Sequence, residues 1–313
     1  MMKRILVTGH RGYIGSVLCK MLKEQGYYVI GTDNGPGSQS KYVDEDFYLC
    51  FSNCIPSEVD GIFHLAANSL LGPSAYDPMV YFVNNVGNTS KMLTKLGWDG
   101  KPLPKVVYAS SAAVYAPNYD KTPISEDFHK DSPNNYGLSK WMSEQVIQAY
   151  CNVFNTPITC FRFFNVAGSY GDVGIQDNTP HLISKLIQAQ KDKVNFKING
   201  EHFDTPDGTC VRDYVHVVDI CRAMIHAYET IDDPGYRAYN LGLGMGTSVL
   251  EMVEKYYNVT GHRQYDFVGK RQGDPAYLVA NPHKFKEETG FVYQHHLIED
   301  MINDAIEARK LNV

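Results

Sequence analysis

The stretch Ile5-Leu6-Val7-Thr8-Gly9-His10-Arg11-Gly12-Tyr13-Ile14-Gly15 decides the fold. A short apolar run ends in three glycines spaced three apart, and a helical pattern then continues to Gln25. That is a strand feeding a helix through a tight turn. Glycines there let the backbone turn sharply, approach a pyrophosphate closely and pack helix on sheet, while the helix N-terminus supplies amide donors and partial positive charge. The next apolar run, Tyr28 to Asp33, ends in a carboxylate. A carboxylate at that point accepts both ribose hydroxyls of an adenosine and repels a 2′-phosphate, so the two features together predict a dinucleotide site that prefers NAD to NADP. Arg11, inside the turn, works against that preference because a guanidinium pairs with an added phosphate.

Outward from the turn, apolar runs alternate with helical stretches: Gly61 to Ala66, a helix after Pro78, Lys105 to Ser110, a helix after Asn134, and Thr159 to Asn165. Alternation of this kind reads as βαβ units around a parallel sheet covered on both faces. The segment between Asn34 and Asp60 reads as loop, without a clear helix. Gly, Asp and Pro cluster over 168–180 and 200–208, a shift to a loop-rich second unit. The boundary is placed at Val166, giving units 1–165 and 166–313, with a helical pattern and a short strand over 215–242 returning the chain to the first.

Bulk properties narrow the function. At 313 residues, 43% hydrophobic and 20% charged, the chain is globular and large enough for more than one core. A net charge of −6 with no basic stripe excludes nucleic acid as an expected partner. Too few apolar residues precede Gly9 for a signal peptide, and no apolar run reaches membrane-spanning length, so a cytoplasmic protein is expected. Seven scattered cysteines with no Cys-x-x-Cys pair fit a reducing compartment. The adjacent His295 and His296 do not suggest metal ligation, and no metal is expected.

Ser111 follows the strand from Lys105, at the carboxyl edge where ligands bind in such sheets. Tyr136 and Lys140 come later, in the chain's single Tyr-x-x-x-Lys, one helical turn apart and so on one helix face. A phenol acting as a base near neutrality needs its pKa depressed by about three units, or about 4 kcal/mol of differential stabilisation. A nearby ammonium and a positive nicotinamide ring are the expected sources.

The motifs resemble the extended short-chain dehydrogenase/reductase superfamily and, within it, the UDP-glucose 4-epimerase family. The resemblance spans almost the whole chain: Thr8 to Ser16, Asp33-Asn34, His64-Leu65-Ala66-Ala67, Ser110 to Tyr115, Tyr136 to Lys140, Phe161 to Asn165, Tyr239 to Gly242, Arg271 to Asp274 and, most specifically, Thr205-Pro206-Asp207-Gly208-Thr209-Cys210-Val211-Arg212-Asp213-Tyr214-Val215-His216-Val217-Val218-Asp219. It implies an α/β, Rossmann-type doubly wound parallel sheet with a smaller mixed α/β substrate-binding domain. It also implies C4 epimerisation of a UDP-hexose through a transient 4-keto sugar, with NAD regenerated in each cycle. Tyr136 is implied as the proton-exchanging group, with Ser111 on the same sugar oxygen and Lys140 on the nicotinamide ribose. Gly9, Gly12, Tyr13, Ile14, Gly15, Asp33, Asn34, Leu65, Ala66, Ala67, Asn84 and Phe163 are implied around NAD. Asn165, Asn178, Arg212, Arg271 and Asp274 are implied around the UDP-sugar.

Two features of the family are missing. Leu49-Cys50-Phe51-Ser52 stands where an Asp-Ile pair contacts adenine, and Ser69 stands near the place of a pyrophosphate-binding lysine. Looser NAD binding is therefore expected. Ala112 and Ala113 replace the acidic residues that dehydratases and decarboxylases of this fold use as proton carriers. A sugar reductase and a catalytically silent dinucleotide-binding regulator remain as alternatives. Leu278 leaves hexose and N-acetylhexosamine substrates open, as are pentoses and uronates. Relatives dimerise through two helices, here those after Pro78 and Asn134, and a homodimer is expected, with Trp141, Ile147 and Tyr150 offering apolar surface.

Overall fold

The computed structural model describes residues 2–34, 40–48, 56, 58–97, 103–176, 181–261, 264–269 and 274–310. The first half supplies β1 (Arg4–Thr8), α1 (Tyr13–Glu24), β2 (Tyr28–Asp33), β3 (Glu45–Tyr48), β4 (Gly61–His64), α2 (Leu71–Ser74), α3 (Pro78–Tyr81), α4 (Asn88–Gly97), β5 (Lys105–Ser111), α5 (Asn135–Phe154) and β6 (Pro157–Phe163). The second half adds β7 (Asn165–Ala167), α6 (Leu182–Asp192), β8 (Phe196–Asn199), β9 (Val211–His216), α7 (Val217–Thr230), β10 (Gly235–Leu241), β11 (Gly246–Ser248), α8 (Val249–Thr260), β12 (Tyr265–Val268), β13 (Tyr277–Leu278), α9 (His283–Thr289) and α10 (Ile298–Lys310).

Seven strands form one sheet in the order β3-β2-β1-β4-β5-β6-β10, and every neighbouring pair is parallel. Parallel pairing buries both faces, which is why Ile5, Leu6, Val7, Ile62 and Phe63 are apolar in succession and wholly inaccessible. One face is covered by α1, α7 and α9 through Leu18, Leu22, Ile220, Met224 and Phe285. The other is covered by α4 and α5 through Met92, Leu93, Ile147 and Cys151. The chain runs outward from β1 to β3 and returns on the far side of β1 as β4. A ligand crevice therefore opens at the carboxyl ends of β1 and β4, where the winding reverses.

The segment read as loop between Asn34 and Asp60 contains β3, the sheet's edge strand. Its sequence, Glu-Asp-Phe-Tyr, has no apolar alternation to announce it. The strand pairs with β2 and packs Phe47 on the core, while Arg11 binds Asp46 and Arg4 reaches Glu45. The helix after Pro78 is also less regular than expected: α3 passes into a wider, π-type turn over Phe82–Gly87 before α4. Such turns are frequent at functional sites, and this one carries Asn84 and Asn85.

Beyond β6, β9 is flanked by β7, β11 and β13, and β8 pairs with β12. Helices α6, α8 and α10 enclose a separate core with Leu186, Tyr256, Met301 and Ile302 at its centre. Among the described residues no helix is long and apolar enough to cross a membrane, and no cluster of His, Cys, Asp and Glu is arranged to hold a metal.

Candidate active site

A single cleft of about 1350 Å³ runs from the glycine turn to the loops of the second half. Gly9, Gly12, Tyr13, Ile14 and Gly15 line one end with Asp33, Asn34, Leu65, Ala66, Ala67 and Asn84. Ser111, Tyr136, Lys140 and Phe163 line the middle, and Asn165, Arg212 and Asp274 line the far end. Asn178 and Arg271 lie outside the described residues, as does the stretch Leu49 to Ser52. Ser69 lines the cleft beside Asn68.

The glycine end is shaped for a close-lying ligand. Gly9 has φ +74°, and a Cβ there would stand 2.8 Å from the Ala66 nitrogen, so no other residue type fits. Gly12 precedes α1 and provides no side-chain cap, which leaves the first helical amides for an anion. Asp33 accepts a hydrogen bond from the Arg11 amide at 3.0 Å, which fixes its carboxylate beside the turn. The donor set and the missing side chains fit a dinucleotide. Arg11 itself does not reach across: its guanidinium is bound to Asp46 at 3.0 and 3.1 Å. The Arg11 guanidinium is held toward β3 through Nη2.

Tyr136 enters the cleft because α5 begins one residue earlier. Asn134 caps the helix by accepting from Gly137 N–H at 2.8 Å, and Gly137 packs so closely that a Cβ would lie 1.9 Å from the Ala113 carbonyl oxygen. The helix start is thus pressed onto the end of β5. Asn85, from the π-type turn, donates to Ser139 Oγ at 2.9 Å and accepts from Asn68 N–H at 2.8 Å. One asparagine thereby joins three walls of the cleft.

Burial dominates the electrostatics at this point of the cleft. Burial raises the Tyr136 phenol above its ordinary pKa, a hydrogen bond with Ser111 acts the other way, and the neighbouring Tyr81 raises it further. Lys140 bonds to β5 and not to the phenol. Its ammonium donates to the Ala109 carbonyl at 2.7 Å and to the Tyr108 hydroxyl at 3.3 Å. Lys140 is itself pushed down to about 8 by burial, with Cys160 and Glu144 opposing. His64 lies beneath, stacked on Tyr108 and bonded to Thr8 at 2.7 Å and Thr89 at 2.8 Å. Thr89 spends its proton on the Asn85 carbonyl, so His64 donates from Nε2 and is neutral, consistent with a pKa lowered to about 3 by burial and the Lys140 charge.

At the far end Arg212 donates to the Val211 and Pro275 carbonyls at 2.9 and 2.8 Å. These contacts spend one guanidinium nitrogen, and among the described residues no carboxylate is hydrogen-bonded to Arg212, whose charge suits a phosphate. Asp213 beside it is structural: buried, it accepts from the Leu243, Gly244 and Ala280 amides. Sequence patterns gave no notice of Asn68, Tyr81 or Tyr108, because each is a lone residue whose role depends on which neighbour packs against it. Tyr81 stacks edge-on to Tyr136 at 6.4 Å.

Residues 5–242 match the model of the NAD dependent epimerase/dehydratase family. The chain belongs to that family. A curated relative, the UDP-glucose 4-epimerase of Corynebacterium glutamicum, is 35% identical, with 96% of this chain and 94% of the relative covered. That of Halalkalibacterium halodurans is 36% identical, with the same shares covered. Among solved structures, the epimerase of Stenotrophomonas maltophila with bound NAD and formylated UDP-arabinopyranose superposes with TM-score 0.90 at 28% identity, covering 100% of this chain and 99% of that one. Members of the epimerase family thus share this chain's architecture over its full length.

Proposed function

We propose that the chain epimerises C4 of a UDP-hexose of the UDP-glucose/UDP-galactose type, through a transient 4-keto sugar and with NAD held at the glycine end of the cleft. The observation that carries this reading is the meeting of Tyr136 and Ser111 at the floor of one cleft, between the glycine turn and Arg212. Bound NAD supplies a hydride acceptor that is also the hydride donor, and a positive charge beside the phenol. The chain's own residues do the rest. Tyr136 Oη exchanges a proton with the sugar 4-hydroxyl, and Ser111, lining the same part of the cleft, holds the same oxygen. Lys140, fixed by Ala109 and Tyr108, holds the cofactor ribose and adds positive potential. Arg212 and Asn165, joined by Arg271, take the diphosphate and uridine, with Asp274 near the ribose and Asn178 beside them.

Support comes from the curated relatives, named UDP-glucose 4-epimerases, and from a Bifidobacterium longum epimerase, 27% identical, solved with NAD+ and UDP. Ala112 and Ala113, bordering Ser111 without an acid, fit epimerisation and supply no carrier for elimination. Residues 1–165, with the return through 215–242, form the cofactor-binding unit in this reading, and 166–313 the nucleotide-sugar unit. Cys19, Cys151, Cys160, Cys210 and Cys221 are buried, in keeping with a cytoplasmic protein.

We also assign a homodimer built on α3, the π-type turn and α5. Among the apolar residues that these helices leave open are Met79, Val80, Val83, Leu138 and Met142, with Val83 64% exposed. Ile147 is in the sheet core, while Tyr150 and Trp141 are partly buried, Tyr150 against the same core and Trp141 near Ile124 and Phe164. Incubation with a panel of UDP-sugars and chromatographic detection of the C4 epimer tests the reading. UDP-glucose converting to UDP-galactose supports it, and a panel in which no sugar is epimerised rejects it.

A further inference from the structure

Arg11 and Asp33 make opposite demands on a dinucleotide. The Arg11 amide is bonded to the Asp33 carboxylate, so residue 11 stands where the adenosine ribose is read, and a guanidinium there welcomes a 2′-phosphate that Asp33 repels. The side chain, however, turns toward β3. Nη2 donates to Asp46 Oδ1 at 3.1 Å and to Oδ2 at 3.0 Å, and the Asp46 side chain is 5% exposed. His10, wholly buried, brings Nε2 to 3.2 Å from Asp46 Oδ1 on the other side.

The cluster is built into the sheet. Asp46 pairs with Gly31 in the β2–β3 register, and Gly31 makes room for the His10 ring, from which a Cβ would be 2.7 Å. Three elements, the glycine turn, β2 and β3, thus converge on one carboxylate. Swinging Arg11 out to a phosphate strands that carboxylate away from water with His10 as its remaining neighbour, and breaking a buried ion pair is strongly unfavourable.

We propose that Asp46 is a cofactor-specificity residue: by holding the Arg11 guanidinium against β3 it withholds that charge from a 2′-phosphate and leaves Asp33 to select NAD. This inference rests on the reading of the cleft as a dinucleotide site. It predicts that selectivity is set by two carboxylates acting differently, Asp33 by repulsion at the ribose and Asp46 by sequestering the cation.

Dissociation constants for NAD+ and NADP+, measured by calorimetry on the wild type, Asp46→Asn, Arg11→Gln and the double variant, test it. Asp46→Asn tightens NADP+ by about tenfold, as for one charge-assisted hydrogen bond gained, and leaves NAD+ within about twofold. The double variant loses the gain. An unchanged NADP+/NAD+ ratio in Asp46→Asn, or a gain that survives removal of Arg11, overturns the proposal. Should Asp46→Asn fail to fold, Arg11→Gln alone decides: NADP+ affinity stays within about threefold if the arginine is withheld, and a loss of about tenfold means that it already reaches the phosphate. A wild type that binds neither dinucleotide rejects the cofactor reading and this inference with it, whereas NAD+ binding with an unmoved ratio rejects only the role of Asp46.

Discussion

Lys140 and Arg162 are buried in neighbouring layers around α5, each 3% exposed, and live under opposite conditions. Arg162 donates to both oxygens of Glu144, closest at 2.7 Å, and to the Tyr115 hydroxyl and the Glu126 carbonyl at 2.9 Å. Burial pulls its pKa down, yet the Glu144 bonds and charge outweigh this and hold it above its ordinary value. Lys140, one helical turn before Glu144, touches only neutral oxygens, and burial brings it down to about 8. Depth alone does not decide what a buried cation does. The partner does: a carboxylate makes Arg162 a permanent tie between β6 and α5, and neutral partners leave Lys140 poised near physiological pH.

Breaking the tie should have the largest effect on stability. Glu144→Ala strands Arg162 inside the protein and should cost about 3–5 kcal/mol in denaturant unfolding. A loss under about 1 kcal/mol would show that the two cations are not so different after all.

Lys140→Met should move stability the other way. Removing a cation whose burial is unfavourable should stabilise the cofactor-free protein by on the order of 2 kcal/mol at about pH 7. The pH dependence carries the sign. With a folded pKa of about 8 against an ordinary 10.5, the folded state binds fewer protons between those values. Wild-type stability therefore rises through that window relative to Lys140→Met, and the penalty is full below it. Melts at about pH 7 and about pH 10 read this directly, while turnover of the variant should fall by about a hundredfold or more. Equal pH dependence in the two proteins would erase the contrast with Arg162.

The legible part of this molecule was its local pattern. The glycine turn, the strand ending at Ser111 and the Tyr136 to Lys140 spacing are short-range features whose physics depends on few neighbours, and the structure gathers them in one cleft. What the sequence hid depends on distant partners. β3 carries two acids in four residues, and it is distant partners that hold it: β2 along its backbone, and Arg11, His10 and Arg4 at its acids. The direction of the Lys140 ammonium was hidden for the same reason: Tyr108 and the Ala109 carbonyl claim it from β5, so the phenol receives less help from the protein than spacing alone suggests. Apolar residues on α5 read equally as core or surface, and Ile147 is wholly buried while Met142 is exposed.

The central claim is that the phenol at 136 handles the substrate's proton. Turnover of UDP-glucose to UDP-galactose by Tyr136→Phe, measured beside its NAD affinity, tests this most directly. The account predicts a fall of about a thousandfold or more with NAD affinity within about threefold. A variant that keeps wild-type turnover would contradict it.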